Sequence, residues 1–529
     1  MGKDINQQTG PETEVGKTRS LALSATLMGI IILISKALGL VRDMLTASVF
    51  SMTEAGVAYE VASKLPINIF DFILGGVVTS AFIPVYNSIA VKKGKKEAVG
   101  FCQSYFNLIL LITTSIAVLG VIFAPGLVSL MAPELSESTA TLASELTRIM
   151  FPMVIFVGIA FCFVGFLQSE GEYNIPAIIS LVSNVIMVVY LLVFSDKFGV
   201  RGLSVAMLIG WGAQASVQIP AAVKRGFRYR LKTKLNTPEI KRAALNTIPI
   251  LISTWTTPVC NLINTRIASG IEDGRAITAL GYANRLYIII VGLFSFVATN
   301  LLFPHFARAA AAGREEESDR LTRTSIKTLT FIIAPISVGV GVLSDIFVSL
   351  IYERGNFTAE HSAITAEALR FYAIGMVFAA ICEVLTKAFF AAEKMTIPMI
   401  SAISAMVFNI AVVLIVGTRL GIWGIALMTA VSAAVNMTLN LIFAQKKGLI
   451  KITGHGVLDI AKSVFSAVAM GAVVWLISRY TSGMPRIVAF ILPVLAGAAV
   501  YILLTLILRS DETVSVIKAV KKKLGGEKK

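Results

Sequence analysis

Charged side chains standing inside long apolar runs are the residues of this 529-residue sequence whose types and spacing ask for a chemical role. Lys36 and Arg42-Asp43 lie toward the end of the first run, and Lys64 and Asp71 lie in the second. Arg148, Arg266, Arg285 and Arg370 follow, then Glu383 with Lys387. A charge at the centre of a bilayer costs at least about 2.5–3.5 kcal/mol on insertion scales, so such a residue faces a cavity, a partner or an interface. Bases outnumber acids in this set. A cavity lined in this way attracts an anion, because low-dielectric walls strengthen the field. Lys64, Arg266 and Arg285 sit deepest in their runs and read as cavity residues. Arg42-Asp43, Arg148 and Arg370 lie near run ends, where snorkelling serves equally well. Glu383 and Lys387 are spaced i,i+4 and suit mutual pairing. Asp71 beside Gly75-Gly76 marks unwound backbone, which survives at membrane depth only where it is buried in protein or lines water. That segment is expected to move or gate, and the intramembrane acids Asp43 and Glu383 are further gating or coupling candidates.

The elements that position these residues follow from hydropathy. The chain is 56% hydrophobic and 15% charged, against roughly 25% charged in soluble domains, and its mean hydropathy is +0.79. Apolar blocks of about 20 residues match the roughly 30 Å bilayer core. Reading them against turn and charge signals predicts an all-α polytopic membrane protein of about fourteen spans: 21–41, 57–88, 103–130, 146–168, 175–195, 200–222, 243–269, 277–306, 325–350, 364–391, 397–417, 421–443, 460–478 and 485–508. The block 57–88 holds Pro66 and Gly75-Gly76 and is expected to be kinked or broken. An even count places both termini on one side. With that alternation, most of the 47 basic residues fall on the same side, including Lys92, Lys93, Lys95 and Lys96, the run Lys224–Arg242 and the tail after Arg509. Positive charge marks the cytoplasmic side, so both termini are expected there.

Several classes are excluded along the way. Net charge is +16, but it sits in short loops rather than on a soluble basic domain with aromatics, which argues against nucleic acid. Cys102, Cys162, Cys260 and Cys382 lie in apolar stretches without ligand spacing and read as packing residues. His305, His361 and His455 are scattered, so no metal site is expected. Gly10 to Gly16-Lys17-Thr18 misses the phosphate-loop spacing and follows no strand. No cofactor is expected.

The chain also repeats itself at an offset of about 220 residues. Ala62-Ser63-Lys64-Leu65, running to Phe82-Ile83-Pro84, parallels Ala283-Asn284-Arg285-Leu286, running to Leu302-Phe303-Pro304. Phe166-Leu167-Gln168-Ser169-Glu170 before Ile175-Pro176 parallels Phe389-Phe390-Ala391-Ala392-Glu393 before Ile397-Pro398. Gly199-Val200-Arg201-Gly202 parallels Gly421-Ile422-Trp423-Gly424. Repeats of six spans share one orientation and are related by an axis along the membrane normal. This predicts two six-helix repeats around a central cavity plus two C-terminal helices. The expected limits are a tail 1–20, a first repeat 21–222, a basic linker 223–242, a second repeat 243–443, a loop 444–459, the extra helices 460–508 and a basic tail 509–529. Lys64 and Arg285 take matching places in the two repeats, suited to gripping one anionic group.

Four motifs carry a resemblance. Ser35-Lys36-Ala37-Leu38-Gly39-Leu40-Val41-Arg42-Asp43 resembles the S-R-x-L-G-x-x-R-D signature of the MviN/MurJ family of lipid II flippases. Lys64-Leu65-Pro66-Ile67-Asn68 to Ala81-Phe82-Ile83-Pro84, Tyr282-Ala283-Asn284-Arg285-Leu286 and Arg354-Gly355-Asn356-Phe357-Thr358 resemble its K-L-P-N…A-F-x-P, Y-A-D-R-L and R-G-x-F-T segments. The resemblance implies a multidrug/oligosaccharidyl-lipid/polysaccharide exporter fold in the bacterial cytoplasmic membrane. It also implies transfer of undecaprenyl-pyrophosphate-linked peptidoglycan precursor to the outer leaflet. By motif position, Arg42 and Arg285 match arginines that hold the pyrophosphate, and Lys36 stands where the first signature arginine would be. Together with Lys64 and Arg266, read as cavity residues from their depth, the expected head-group set is Lys36, Arg42, Lys64, Arg266 and Arg285. The last two helices would extend a lateral groove for the lipid tail. Departures are Lys36 for arginine, Phe70-Asp71 for an arginine pair, Gly75 for glutamate and Asn284 for aspartate; Arg266 is a candidate replacement charge.

The function expected is alternating access for a lipid-linked pyrophosphate, driven by the membrane potential or an ion gradient, with no covalent step. Membrane lipids are implied partners, and cell-wall synthesis proteins are candidate ones. A flippase for another lipid-linked oligosaccharide or wall polymer is the alternative. A cation exporter of the same superfamily ranks third, since it would favour buried acids. A membrane transferase would need catalytic acids and a metal loop, for which Glu134 and Glu137 are too sparse. A channel or scaffold needs no lone bases in kinked, duplicated helices.

Overall fold

Inside a bilayer every backbone N–H and C=O must find its partner within the protein, which leaves helices as the economical solution for an apolar chain. The computed structural model describes residues 11–73, 82–230, 237–240, 255–297, 302–481 and 483–514, and among them there is no strand. The helices run in order as α1 (Pro11–Phe50), α2 (Glu54–Ile73), α3 (Phe82–Lys93), α4 (Lys95–Ile122), α5 (Ala124–Met131), α6 (Glu137–Met150), α7 (Met153–Ser169), α8 (Asn174–Val193) and α9 (Ser195–Lys224). They continue as α10 (Thr256–Ala268), α11 (Arg275–Val297), α12 (Phe303–Ala311), α13 (Glu315–Val342), α14 (Ser344–Tyr352), α15 (Ala359–Ala391), α16 (Thr396–Lys446), α17 (Gly454–Thr481) and α18 (Arg486–Ile507). Among the described residues nine helical segments, two of them within α16, are long and apolar enough to cross a membrane, or ten if the bent pair α6–α7 is one span. The fourteen spans read from hydropathy are thus not all recovered among the described residues. The blocks 57–88, 243–269 and 277–306 each run into residues outside them. Apolar side chains such as Leu192, Ile415, Leu495 and Ile507 are exposed, which suits a surface solvated by lipid tails.

The duplication read in the sequence has a backbone counterpart. Gly199 in α9 (φ 55°, ψ −149°) and Gly421 in α16 (φ 69°, ψ −151°) share one conformation. That region is essentially closed to residues with a Cβ. In α16 the kink at Gly421 follows the apolar segment Thr396–Gly417 and lies near the start of Arg419–Lys446, each of them long enough to cross a membrane. The breaks α4–α5 at Phe123 (φ −92°, ψ 11°) and α13–α14 at Leu343 (φ −94°, ψ 15°) match as well. Gly171 and Glu393, which close the helices α7 and α15, both have positive φ. The halves differ at one joint: Phe151-Pro152 bends α6 against α7 by 40°, while α15 runs unbroken. Proline lacks the N–H that would continue the ladder.

The chain forms two compact units, each assembled from separate stretches of sequence. One comprises Met1–Thr46, Ala62–Ala124 and Ser144–Leu251, the other Ala47–Val61, Pro125–Ala143 and Ile252–Lys529. The first is packed around aromatic rings, with Phe82 against Tyr86, Phe101 and Tyr105, and Phe163 against Phe106 and Phe227. The second has a core of Phe306, Ile333, Met376, Val384, Leu385 and Phe389. A neighbouring cluster of Ala334, Leu343, Met470, Val474 and Tyr501 ties α17 and α18 to α13. All four cysteines are free thiols, with Cys102 and Cys162 buried.

Candidate functional site

In the first unit the signature on α1 closes around one asparagine of α8. Residues 35, 39 and 42 recur at i, i+4 and i+7 and so share a helix face. The Nδ2 group of Asn184 donates to the Ser35 carbonyl at 3.2 Å, and its Oδ1 accepts from Arg42 Nη1 at 2.9 Å. Gly39 faces the same asparagine, and a Cβ there would sit 3.4 Å from Nδ2, in ordinary contact. Arg42 also donates to Asp43 Oδ1 through Nε (3.1 Å) and Nη2 (2.8 Å). Asp43 and Asn184 are buried, while the Arg42 side chain keeps 34% of its surface. The guanidinium is thus held from two sides, with part of it open to a ligand. The asparagine thus spans the carbonyl of residue 35 and the Arg42 guanidinium, two turns apart on one helix face. Asn184 itself was not singled out from the sequence, where it stands as one polar residue in an apolar block with no partner in view.

In the second unit two motifs meet beneath Arg285 on α11. Arg285 Nη2 donates to Glu60 Oε2 at 2.7 Å, and its guanidinium carbon lies 5.1 Å from the Tyr282 ring centre. Tyr282 packs on Tyr352 (4.9 Å) and edge-on against Phe357 (5.6 Å). Phe357 belongs to the Arg354–Thr358 loop, which also grips the end of α1. Asn356 donates through its backbone N to the Ser48 carbonyl (2.7 Å) and through Nδ2 to the Val49 carbonyl (2.6 Å). Gly355, at φ 58°, abuts Ser48 so closely that a Cβ would overlap its hydroxyl. Thr358 caps α15, accepting from the His361 backbone, while His361 Nδ1 accepts from the Thr358 N–H. The Ser51 hydroxyl lies 2.7 Å from the same nitrogen. Glu60 is the partner of Arg285 that the sequence alone does not reveal. It is buried, and its signal was a lone carboxylate one helical turn before Lys64.

The other expected residues are placed separately. Lys36 is exposed, one step around α1 from the face that meets Asn184. Lys64 and Asp71 are half-buried on α2. Gly75 and Gly76 lie outside the described residues, and so does the proposed gating bend. Arg266 occupies the last turn of α10 and donates to the Leu130 carbonyl at 2.8 Å, near the end of α5. Glu383 and Lys387 pair at 3.3 Å along α15, and Arg370 pairs with Asp345 at 2.6 Å.

Two further features lie in the second unit. An apolar cleft of about 370 Å³ runs between α13, α17 and α18, lined by residues including Pro335, Val340, Val474, Val494 and Ile502. Phe347 and Phe490 also line it. Lys327 of α13 reaches Asp459 Oδ2 at 2.6 Å and Asp511 Oδ2 at 2.9 Å. His455, Asp459 and Asp511 lie within metal-ligand reach of one another. The Lys327 ammonium bridges the two carboxylates there. Its hydrogen bond holds the Asp511 carboxyl well down, at about 2.

Membrane-crossing helices, a duplicated backbone and part-exposed cations held within apolar helices define a polytopic membrane transporter. The fold is shared with the MOP superfamily: a solved multidrug resistance MATE family transporter of that superfamily, in an inward-facing conformation, superposes with TM-score 0.66 over 80% of this chain and 98% of its own, at 15% identity. Within that class the chain belongs to the lipid II flippase MurJ family, whose family description matches residues 46–494. The match takes in Glu60, Arg285 and the Arg354–Thr358 loop and begins just after the α1 signature. The chain is 28% identical over 487 residues to a probable lipid II flippase MurJ of Thermotoga maritima, covering 92% of this chain and 96% of that one. It is 27% identical over 465 residues to the counterpart in Rickettsia prowazekii, covering 87% and 91%. A solved lipid II flippase MurJ in an inward closed conformation superposes with TM-score 0.79 at 22% identity, covering 92% of this chain and 99% of the other.

Proposed function

We propose that this chain carries lipid II from the inner to the outer leaflet of the bacterial cytoplasmic membrane by alternating access. The observation that carries the reading is the family match across residues 46–494. The chemistry of the described cations supports it. A pyrophosphate needs planar, pre-aimed donors. Arg42 is steered by Asn184, Arg285 is steered by Glu60 and by the face of Tyr282, and each guanidinium keeps about a third of its surface. The lipid tail stays in the membrane, with the cleft on α17 and α18 available to it. Translocation makes and breaks no covalent bond, and we find no nucleophile–base pair assigned to such a step. Moving an anionic head group across the membrane couples to the potential at about 2.3 kcal/mol per charge per 100 mV, so the potential or an ion gradient is the proposed energy source. Both termini face the cytoplasm in this reading.

The test is leaflet accessibility of lipid II in cells depleted of the protein. Lipid II reachable from outside should fall as the protein is lost and return with the wild-type gene. Unchanged outer-leaflet lipid II after depletion, in a strain without another flippase, would remove the proposal.

A further inference from the structure

Arg285 does not wait empty for an anion. Glu60 already lies on it, with Oε2 2.7 Å from Nη2. The carboxylate is almost fully enclosed, at 4% side-chain exposure, while the arginine keeps 29%. The enclosure is built: α11 carries Gly281 where a Cβ would overlap Glu60 Oε1. Gly281 is helical and needs no unusual backbone angle there. A glycine inside a helix is unfavourable relative to alanine, so the space it leaves is the physical reason for it. Tyr282 holds the guanidinium from the ring face, while Glu60 takes an N–H of its hydrogen-bonding edge.

We infer that Glu60 is the internal counter-anion of Arg285, occupying the place that a pyrophosphate oxygen takes when substrate binds and returning to it when substrate leaves. The inference rests on the reading of Arg285 as a head-group ligand. The Nη2–H that Arg285 gives to Glu60 cannot at the same time be given in full to a phosphate oxygen. Binding therefore works against an ion pair already made, and release is helped by its re-formation. Glu60 thereby sets affinity and turnover in opposite directions. A carboxylate that only braced α2 against α11 would alter stability and leave that balance alone.

The experiment uses the full chain in nanodiscs, with undecaprenyl pyrophosphate as the probe for binding, and proteoliposomes loaded with lipid II for transfer. Glu60→Gln keeps the shape and removes the competing charge. It should bind the probe at least tenfold more tightly than wild type and transfer lipid II more slowly at saturation. Gly281→Ala leaves the carboxylate's charge but denies it the space, and should shift affinity in the same direction. It serves as the arbiter if Glu60→Gln does not fold. Wild-type affinity in whichever of the two variants folds, with Arg285→Ala losing the probe, overturns the role of Glu60 and leaves the reading of Arg285 intact. Failure of Arg285→Ala to weaken probe binding overturns that reading, and the inference falls with it. If neither Glu60→Gln nor Gly281→Ala folds, Glu60 is a structural brace and the inference is likewise overturned.

Discussion

Replacing Asn184 with leucine tests whether the α1 signature exists to aim Arg42. Leucine repeats the branched outline of asparagine, so it opens no cavity and removes both polar groups, while its methyls add bulk beside Gly39. Two bonds are lost: the Arg42 Nη1–Oδ1 bond at 2.9 Å and the Nδ2–Ser35 carbonyl bond at 3.2 Å. A hydrogen bond to a charged group is worth about 1.5–3 kcal/mol and a neutral one about 0.5–1.5, whereas interhelical bonds inside membranes average about 0.6 kcal/mol. The Ser35 carbonyl belongs to a helical ladder and is not orphaned by the loss. Arg42 also keeps Asp43, at 2.8 Å. The expected net loss is therefore about 1–3 kcal/mol, too little to prevent insertion and folding. The guanidinium then remains charged but is anchored by one neighbour instead of two. Transfer of lipid II in proteoliposomes should fall at least tenfold while thermal unfolding in detergent shows a modest shift. Asn184→Asp retains the acceptor for Arg42 but adds a negative charge beside it. It should preserve stability better than leucine and still depress anion binding. Wild-type transfer and unchanged stability in Asn184→Leu would refute the idea that this residue positions Arg42.

Other perturbations follow from the same geometry. Gly199→Ala and Gly421→Ala should each destabilise by about 1–3 kcal/mol, and by similar amounts, because their dihedrals match and a Cβ at either would meet nothing within 4 Å. Unequal effects in thermal unfolding would break the equivalence of the two repeats. Arg285→Ala should abolish complementation of a flippase-depleted strain while the protein is still inserted at normal levels; full rescue would count against its role. Gly355→Val should loosen the grip of the Arg354–Thr358 loop on Ser48, because the new side chain has no room there, and lower stability and transfer together. Asp511 is held at about 2, below the ordinary 3.8, chiefly by its hydrogen bond to Lys327. A depressed carboxyl stabilises the fold above its unfolded value and loses that contribution as pH falls toward about 2. The stability gap between wild type and Asp511→Asn should thus be constant above about pH 5 and shrink below pH 4. A gap that grows on acidification would reverse the assignment.

How much was legible depended on the range of the interaction. The helical membrane class came from apolar blocks of bilayer length, a property of consecutive residues. The repeat came from turn residues such as Gly199 and Gly421, whose dihedrals only glycine tolerates, so local chemistry recorded the joint twice. Intramembrane arginines were visible because a charge is conspicuous in an apolar run, and the pairing of Glu383 with Lys387 because i,i+4 neighbours share a helix face. The sequence alone thus determined solvent, secondary structure and the inventory of charges. Partners across 142 and 225 residues were decided only by the tertiary structure: Asn184 on Arg42, Glu60 on Arg285. The same holds for Phe357 beneath Tyr282, the Arg354–Thr358 loop on the end of α1, and Asp459 with Asp511 on Lys327. A polar side chain in an apolar helix announces that it needs a partner, but which one it meets depends on how helices pack side by side. Hydropathy is blind to that, because every face of such a helix is acceptable to lipid.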